Sequence, residues 1–162
     1  MDVAPEGFYA ASGIALMGNA METGVIEAPA DGKVSWTAHA DLAEAAAIIL
    51  TDEGRDDGPT PPLTGSEALD LVDFADIASA LLGRPVLRRI ITDDELKARM
   101  AARGAPDRAA RTVLGLYAAS RVGEFAVVDP TLGTLLGRRP ITVRELIAQQ
   151  VATFSPSVHQ PR

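Results

Sequence analysis

Cysteine is absent from this chain of 162 residues, which excludes disulfide bonds, thiolate metal sites and a cysteine nucleophile. Histidine is scarce: His39 and His159 stand far apart and are not clustered with carboxylates, so we expect no metal site. Apolar runs stay well below the ~20 residues of a membrane span, and the first residues lack the basic-then-apolar pattern of a secretory signal. These absences predict a soluble, cytoplasmic protein with no membrane partner.

Positive charge is also in short supply. Fifteen lysines and arginines stand against 22 aspartates and glutamates, a net charge of −7, which argues against a nucleic-acid partner. The imbalance is local, because residues 1–60 hold eleven acids and two bases, whereas residues 84–121 hold nine bases and four acids. Two interpretations of the basic stretch stay open: helix faces in contact with solvent, or a site for an anionic ligand.

The composition is that of a folded globular protein. Hydrophobic residues make up 47% of the chain and charged residues 23%, which is not the balance of a disordered chain. A chain of this length can bury roughly 68–70% of its unfolded surface. We therefore expect one domain over residues 1–154, followed by a frayed tail over residues 155–162.

Apolar periodicity and capping residues predict an α/β chain with few strands. Asp70, Thr92 and Thr142 each directly precede a helical pattern, where their side chains can cap the first turn. Asp41 is expected to cap an alanine-rich helix with Glu44 as its capping-box partner, and this helix is expected to be well buried because it is apolar on most sides. The predicted helices cover residues 8–22, 42–50, 71–82, 93–103, 106–121 and 143–153, and the predicted strands cover residues 25–29, 34–37 and 86–91.

Familiar catalytic motifs are missing from the chain. No G-x-G-x-x-G or G-x-x-G-x-x-G loop follows a strand, and no G-x-S-x-G elbow is present. Tyr117 and Arg121 are four residues apart on a helix, a spacing more typical of a surface contact than of a catalytic pair. His39 either belongs to the start of a helix or lines a pocket as a proton donor. Phe8 and Tyr9 are either core residues or an aromatic wall for a flat ligand.

An ordered series of segments resembles a known family. The series consists of Gly-Phe-Tyr-Ala at residues 7–10, the run from Gly24 to Ala47, the proline-rich residues 58–69, and Leu-Gly-Arg followed by proline at residues 82–85 and 136–140. Together they are similar to the C-terminal half of NmrA-like NAD(P)-binding proteins, atypical short-chain dehydrogenases that include NAD(P)H-dependent quinone and azo reductases. The resemblance covers residues 7–150. It implies the helix-rich C-terminal lobe of a Rossmann-type fold, without the N-terminal nucleotide-binding half that carries the glycine-rich loop.

The resemblance also implies a site. It places Gly7 and Phe8 on the nicotinamide side of the pocket of a family member, and Tyr9, Trp36 and His39 beside the substrate. The implied cofactor is NADP or NAD, which this chain alone is not expected to bind, and the implied substrate is a quinone- or azo-like acceptor. No catalytic residue is implied.

Two functions stay open at this point. The chain is either the substrate lobe of an NAD(P)H-dependent oxidoreductase or a non-catalytic binding or regulatory module, since the family includes redox-sensing regulators. In either case helices that cover the missing strands in the family would expose apolar faces. We therefore expect a homo-oligomer or a partner chain that supplies the Rossmann half.

Overall fold

The computed structural model describes residues 8–51 and 61–154. Residues 1–7, which include Gly7, lie outside the described residues, as do the acidic residues 52–60 and the tail from residue 155. Within those ranges no helix is long and apolar enough to cross a membrane. The strands are β1 (Val25–Ala28), β2 (Val34–Ser35), β3 (Ala68–Leu69) and β4 (Leu87–Ile90), and the helices are α1 (Ala10–Leu16), α2 (Ala20–Thr23), α3 (His39–Thr51), α4 (Leu71–Leu82), α5 (Asp93–Ala102), α6 (Asp107–Arg121), α7 (Thr131–Leu136) and α8 (Val143–Phe154).

Two small sheets organise the described part of the chain. Strands β1 and β4 are parallel, with Val25 opposite Leu87 and Ala28 opposite Ile90. Strands β2 and β3 are antiparallel. The parallel pair is joined by a long crossover that contains α4, as parallel strands require. The α/β class with few strands is therefore confirmed, and each predicted strand is present in a shortened form.

Helix α4 lies at the centre of the molecule. It contacts both strands of the parallel sheet and also packs against α8. Its side chains Leu71, Phe74 and Ala78 are at most 1% exposed and form one apolar stripe, as the spacing in the sequence predicts. The Trp36 ring lies edge-on to the Phe74 ring, with 5.6 Å between the centroids. Burial against α4 thus holds β1, β4 and α8 together.

The predicted caps are present wherever they depend only on local sequence. Asp70 accepts hydrogen bonds from the backbone N–H groups of Val72 and Asp73, both at 3.0 Å. Thr92 and Thr142 form capping boxes with the glutamates three positions later. Helix α7 has no counterpart among the predicted elements, because its six residues are too few for a periodic pattern.

The single helix predicted over residues 8–22 is wrong. The structure has two short helices there, α1 and α2, separated by a turn at Met17–Asn19. Gly18 occupies the left-handed region with φ of 55°, which interrupts the helix and costs glycine little.

The expectation for α3 is also wrong in two respects. The helix begins at His39, so Asp41 lies inside its first turn rather than at the cap. The Asp41 side chain is fully buried. Its Oδ2 accepts a hydrogen bond from the backbone N–H of Ile141 at 2.7 Å, and its Oδ1 lies 2.8 Å from Arg138. The helix itself is mostly exposed, and Leu50 is 71% exposed, because no described element covers its outer side.

Candidate substrate pocket

A cavity of about 330 Å³ opens between α1, β2 and α6. We call it the aromatic cavity, because most of its wall is aromatic or aliphatic. Cavities that bind small ligands have volumes of about 300–1,000 Å³ and mostly apolar walls. Its apolar wall includes Phe8, Leu16, Trp36, Val113, Leu116 and Phe125.

Three aromatic rings support one another in this wall. Phe8 lies edge-on to Trp36, with 6.0 Å between the centroids, and edge-on to Phe125, at 4.5 Å. The Trp36 indole N–H donates to the carbonyl of Leu69 at 2.9 Å, which fixes the ring. Edge-to-face pairs add about 0.5–1.5 kcal/mol each beyond burial. The wall is therefore preformed and needs little reorganisation to accept a flat apolar ligand.

Besides Ser12 on α1, the polar side chains that line the cavity are a trio, Asp31, Tyr117 and Ser120. Asp31 is committed to the fold, because one carboxylate oxygen lies 3.2 Å from Arg88 and the other accepts from the backbone N–H of Leu71 at 2.8 Å. The Ser120 hydroxyl donates to the carbonyl of Tyr117 at 2.9 Å. The Tyr117 hydroxyl, by contrast, has no hydrogen-bond partner among residues 8–51 and 61–154. It is the group of this trio that is free to donate to a ligand.

The loop between β1 and β2 closes one side of the aromatic cavity because Gly32 allows a close approach. A Cβ atom on Gly32 would stand 2.1 Å from the carbonyl oxygen of Ser120. The Gly32 N–H also donates to the Ser120 hydroxyl at 3.4 Å. The sequence predicts a turn here, and the structure shows that the turn packs directly on α6.

Burial raises the pKa of Tyr117 to about 12, and the charge of Asp31 adds to this effect while Arg88 opposes it. The raised value means that the folded state favours the neutral phenol. We expect this contribution to stability to be complete below about pH 10, the ordinary pKa of tyrosine, and to be lost as pH rises toward 12.

Urea unfolding at several alkaline pH values measures this loss. The Tyr117→Phe variant should lose less stability than the wild type between pH 10 and 12. Parallel curves for the two proteins over that range would contradict the assignment.

The structure brings together some of the residues predicted for the site and not others. Phe8 and Trp36 both line the aromatic cavity. Tyr9 and His39 stack on each other, with 4.1 Å between the centroids and 18° between the planes, and neither is among the residues that line this cavity. Tyr9 is 36% exposed and His39 is exposed. Gly7 lies outside the described residues, so its predicted place beside the nicotinamide stays a prediction.

Sequence reasoning missed the contribution of α6. Tyr117 is 6% exposed and lines the cavity, whereas a surface contact with Arg121 is expected from the spacing. Arg121 instead donates to the carbonyl of Ala30 at 3.0 Å and lies 3.3 Å from Asp93. The signal that could have found this wall is the helical spacing of Val113, Tyr117 and Ser120 on one face of α6.

A dinucleotide does not fit the residues described here. Strand β1 leads through residues 29–33 into β2, so no helix N-terminus follows it. Helix α5 follows β4, but its first turn carries Asp93, Asp94 and Glu95, which repel a pyrophosphate from the positive end of the helix. Nor do the described side chains form a cluster of three or more metal-ligand residues. Neither strand of the parallel pair therefore leads into a helix N-terminus suited to a pyrophosphate.

Comparison with known proteins finds reductases among the relatives of this chain. The chain is 34% identical over 124 residues to an NAD(P)H azoreductase from Xenophilus azovorans, covering 76% of this chain and 43% of the relative. It is 27% identical over 131 residues to an NmrA-like oxidoreductase from Aspergillus flavus, covering 79% of this chain and 42% of the relative. The crystal structure of an NADPH-dependent quinone oxidoreductase from Escherichia coli superposes with a TM-score of 0.79 at 25% identity, over 90% of this chain and 53% of that one.

No family model matches the chain. The chain spans about half the length of the relatives that it matches. Over that half, the two sequence relatives and the similar crystal structure named above are all reductases or oxidoreductases. The chain is thus homologous to NmrA-like NAD(P)-binding reductases, as the resemblance in its sequence predicts.

Proposed function

We propose that this chain is the acceptor-binding part of an NAD(P)H-dependent reductase, corresponding to the C-terminal, substrate-side half of its relatives. The aromatic cavity carries the proposal, because it is preformed, apolar and large enough for a fused two-ring quinone. An azoreductase and a quinone reductase among the relatives support a planar aromatic acceptor. Neither β1 nor β4 leads into a helix whose start suits a pyrophosphate, so the nucleotide would be held by a separate Rossmann half, in the same or another chain.

The role of the chain's own residues is to bind and orient the acceptor. Phe8, Trp36 and Phe125 would flank the flat rings and exclude water from them. The Tyr117 hydroxyl would donate a hydrogen bond to a quinone carbonyl. Its raised pKa keeps that proton in place at neutral pH. In this proposal the relatives' cofactor supplies the reducing electrons, and none of the described residues takes part as an acid or base.

Fluorescence of Trp36 tests the proposal directly, because it is the only tryptophan in the chain. Addition of 2-methyl-1,4-naphthoquinone should quench its emission with a saturable curve. The Ala15→Phe variant should lose that saturation, because Ala15 lines the aromatic cavity and a phenyl ring there would occupy it.

The matched control is Ala11→Phe, one turn away on α1 and exposed, which does not line the cavity. This variant should bind like the wild type. Linear, unsaturable quenching in the wild type, or equal losses in the two variants, would contradict the proposal.

Removing the Tyr117 hydroxyl tests its role as a donor. Tyr117→Phe should weaken quinone binding about two- to tenfold, which is the range for one hydrogen bond of about 0.5–1.5 kcal/mol. The wild-type affinity should stay constant from pH 6 to pH 9, because the pKa of Tyr117 lies well above that range. Titrations at both ends of the range, on both proteins, measure this. Unchanged affinity in the variant would remove Tyr117 from the proposal.

The outer face of α3 is the proposed contact surface for the Rossmann half. Ala43, Ala46, Ala47 and Leu50 are all exposed and lie on one side of the helix. In the absence of that half, we expect copies of this chain to associate through the same face. Light scattering after gel filtration should show a species larger than the monomer.

Lysine substitutions test this association. Ala47→Lys with Leu50→Lys should convert the assembly to monomers, whereas the control Val72→Lys on α4, where the wild-type side chain is 51% exposed, should not. A wild-type chain that is monomeric at high concentration would contradict the expectation.

A further inference from the structure

A second cavity adjoins the first. It has a volume of about 600 Å³ and lies between the β1–β4 sheet, the turn after α1, and α5. Ala15, Leu16 and Tyr117 line both cavities, so these three side chains form the wall that the two share. We call the second one the arginine cavity, because three of its lining residues are Arg89, Arg99 and Arg103.

The charges of the arginine cavity are unbalanced. Glu27 is the single acidic residue among the described residues that line it. Its carboxylate forms ion pairs with Arg89 and with Arg99, the latter at 2.9 Å. Arg103 has no ion pair with any residue in the described ranges. Three cations therefore face one anion, in a chain whose net charge is −7.

The local geometry directs these charges to one place. Glu27 and Arg89 are register partners in the parallel pair, so their side chains leave the sheet on the same face. Arg99 and Arg103 are four residues apart, so they lie on one side of α5 and its C-terminal end. Two like charges at that spacing repel each other. A bound anion between them would remove this repulsion.

We propose that the arginine cavity binds an anionic substituent, a carboxylate or a sulfonate, on the aromatic acceptor whose rings occupy the aromatic cavity. This inference rests on the proposed function and narrows its substrate class to acidic aromatic acceptors. Both cavities border on Ala15, Leu16 and Tyr117, so they are neighbours, and the proposal places the rings of one ligand in the first and its charged group in the second. Guanidinium groups form paired hydrogen bonds with such oxyanions. Tyr117 borders both cavities, so in this arrangement its side chain lies beside the junction between the rings and the charged group.

A matched pair of quinones tests the inference. Binding of 1,4-naphthoquinone and of 1,4-naphthoquinone-2-sulfonate is measured by Trp36 fluorescence on the full chain. The absence of cysteine prevents thiol adducts with either compound. We expect the sulfonate to bind about tenfold more tightly, which is the effect of one charge-assisted contact. Its affinity should fall with added salt, whereas that of the neutral quinone should not.

Variants that each remove one positive charge show which arginine is responsible for the preference for the sulfonate. Arg103→Gln should abolish most of the preference for the sulfonate and leave the neutral quinone unaffected. Arg108→Gln is the matched control, because Arg108 is exposed, has the same charge and does not line the cavity. Equal affinities for the two quinones in the wild type, or equal effects of the two variants, would overturn the inference while leaving the proposed function intact. Failure of both quinones to bind would overturn both.

A nucleotide phosphate is the competing source of the anion. The test for it uses 2′,5′-adenosine bisphosphate, which carries phosphates but no quinone. We expect it not to compete with the sulfonate. Competition that disappears in Arg103→Gln would overturn the inference and assign the arginine cavity to the nucleotide.

Discussion

Phe74→Ala should lower the free energy of unfolding by about 3–5 kcal/mol, the usual cost of removing a fully buried phenyl ring. Phe74 is 0% exposed at the centre of α4 and lies edge-on to Trp36. Its surroundings cannot collapse into the space easily, because α4 is held between the parallel sheet and α8. Urea unfolding followed by circular dichroism measures the loss.

Two control substitutions distinguish the loss of packing at Phe74 from the effect of any substitution in α4. Phe74→Leu keeps most of the volume and should cost less than about 1.5 kcal/mol if it repacks. Val72→Ala, at a half-exposed position on the same helix, should change stability by no more than about 0.5 kcal/mol. A loss below about 1 kcal/mol for Phe74→Ala would mean that α4 is not the centre of the core.

Asp31→Ala should be comparably damaging, at about 3–5 kcal/mol, because it breaks a largely buried ion pair. The side chains of Asp31 and Arg88 are 13% and 6% exposed, and the pair joins the β1–β2 loop to β4. The substitution would leave the Arg88 guanidinium without its counter-charge. It would also remove the acceptor for the backbone N–H of Leu71 at the start of α4.

Two further variants show where the Asp31 effect comes from. Asp31→Asn keeps an acceptor for Leu71 and should cost less than Asp31→Ala. Combining Asp31→Ala with Arg88→Leu should recover part of the stability, because no buried charge is then left unpaired. Chemical unfolding of all four proteins at pH 7 provides the comparison. An Asp31→Ala variant as stable as the wild type would show that the pair has no structural role.

Local signals in the sequence were sufficient for much of the fold. The caps at Asp70, Thr92 and Thr142 are formed as predicted, since each depends on residues within three positions. The prediction for Asp41 failed because its partners, Ile141 and Arg138, are about 100 residues away. Asp41 has a side chain suited to a helix cap, but it forms a buried tertiary contact instead. The burial predicted for α3 also failed, because α7 packs against one side of the helix and no described element covers the other.

The site was predictable only in part, for a related reason. The family resemblance implied that Phe8 and Trp36 are site residues, and both line the aromatic cavity. Tyr9 and His39, close to them in sequence, stack together elsewhere. The opposite wall comes from α6 and the segment after it, whose residues Tyr117 and Phe125 carry no motif. No pattern along the chain indicates that residues 8 and 125 are in contact. The basic stretch supplies the three arginines of the arginine cavity, and the binding of an anion there stays a prediction.

Calorimetric titration of the purified chain tests the central claim most directly, with 2-methyl-1,4-naphthoquinone in one experiment and NADPH in the other. The account predicts saturable binding of the quinone, lost in Ala15→Phe, and no binding of NADPH, because the described residues offer no cradle for its pyrophosphate. Tight binding of NADPH together with no binding of the quinone would contradict the account and assign the chain to the nucleotide instead of the acceptor.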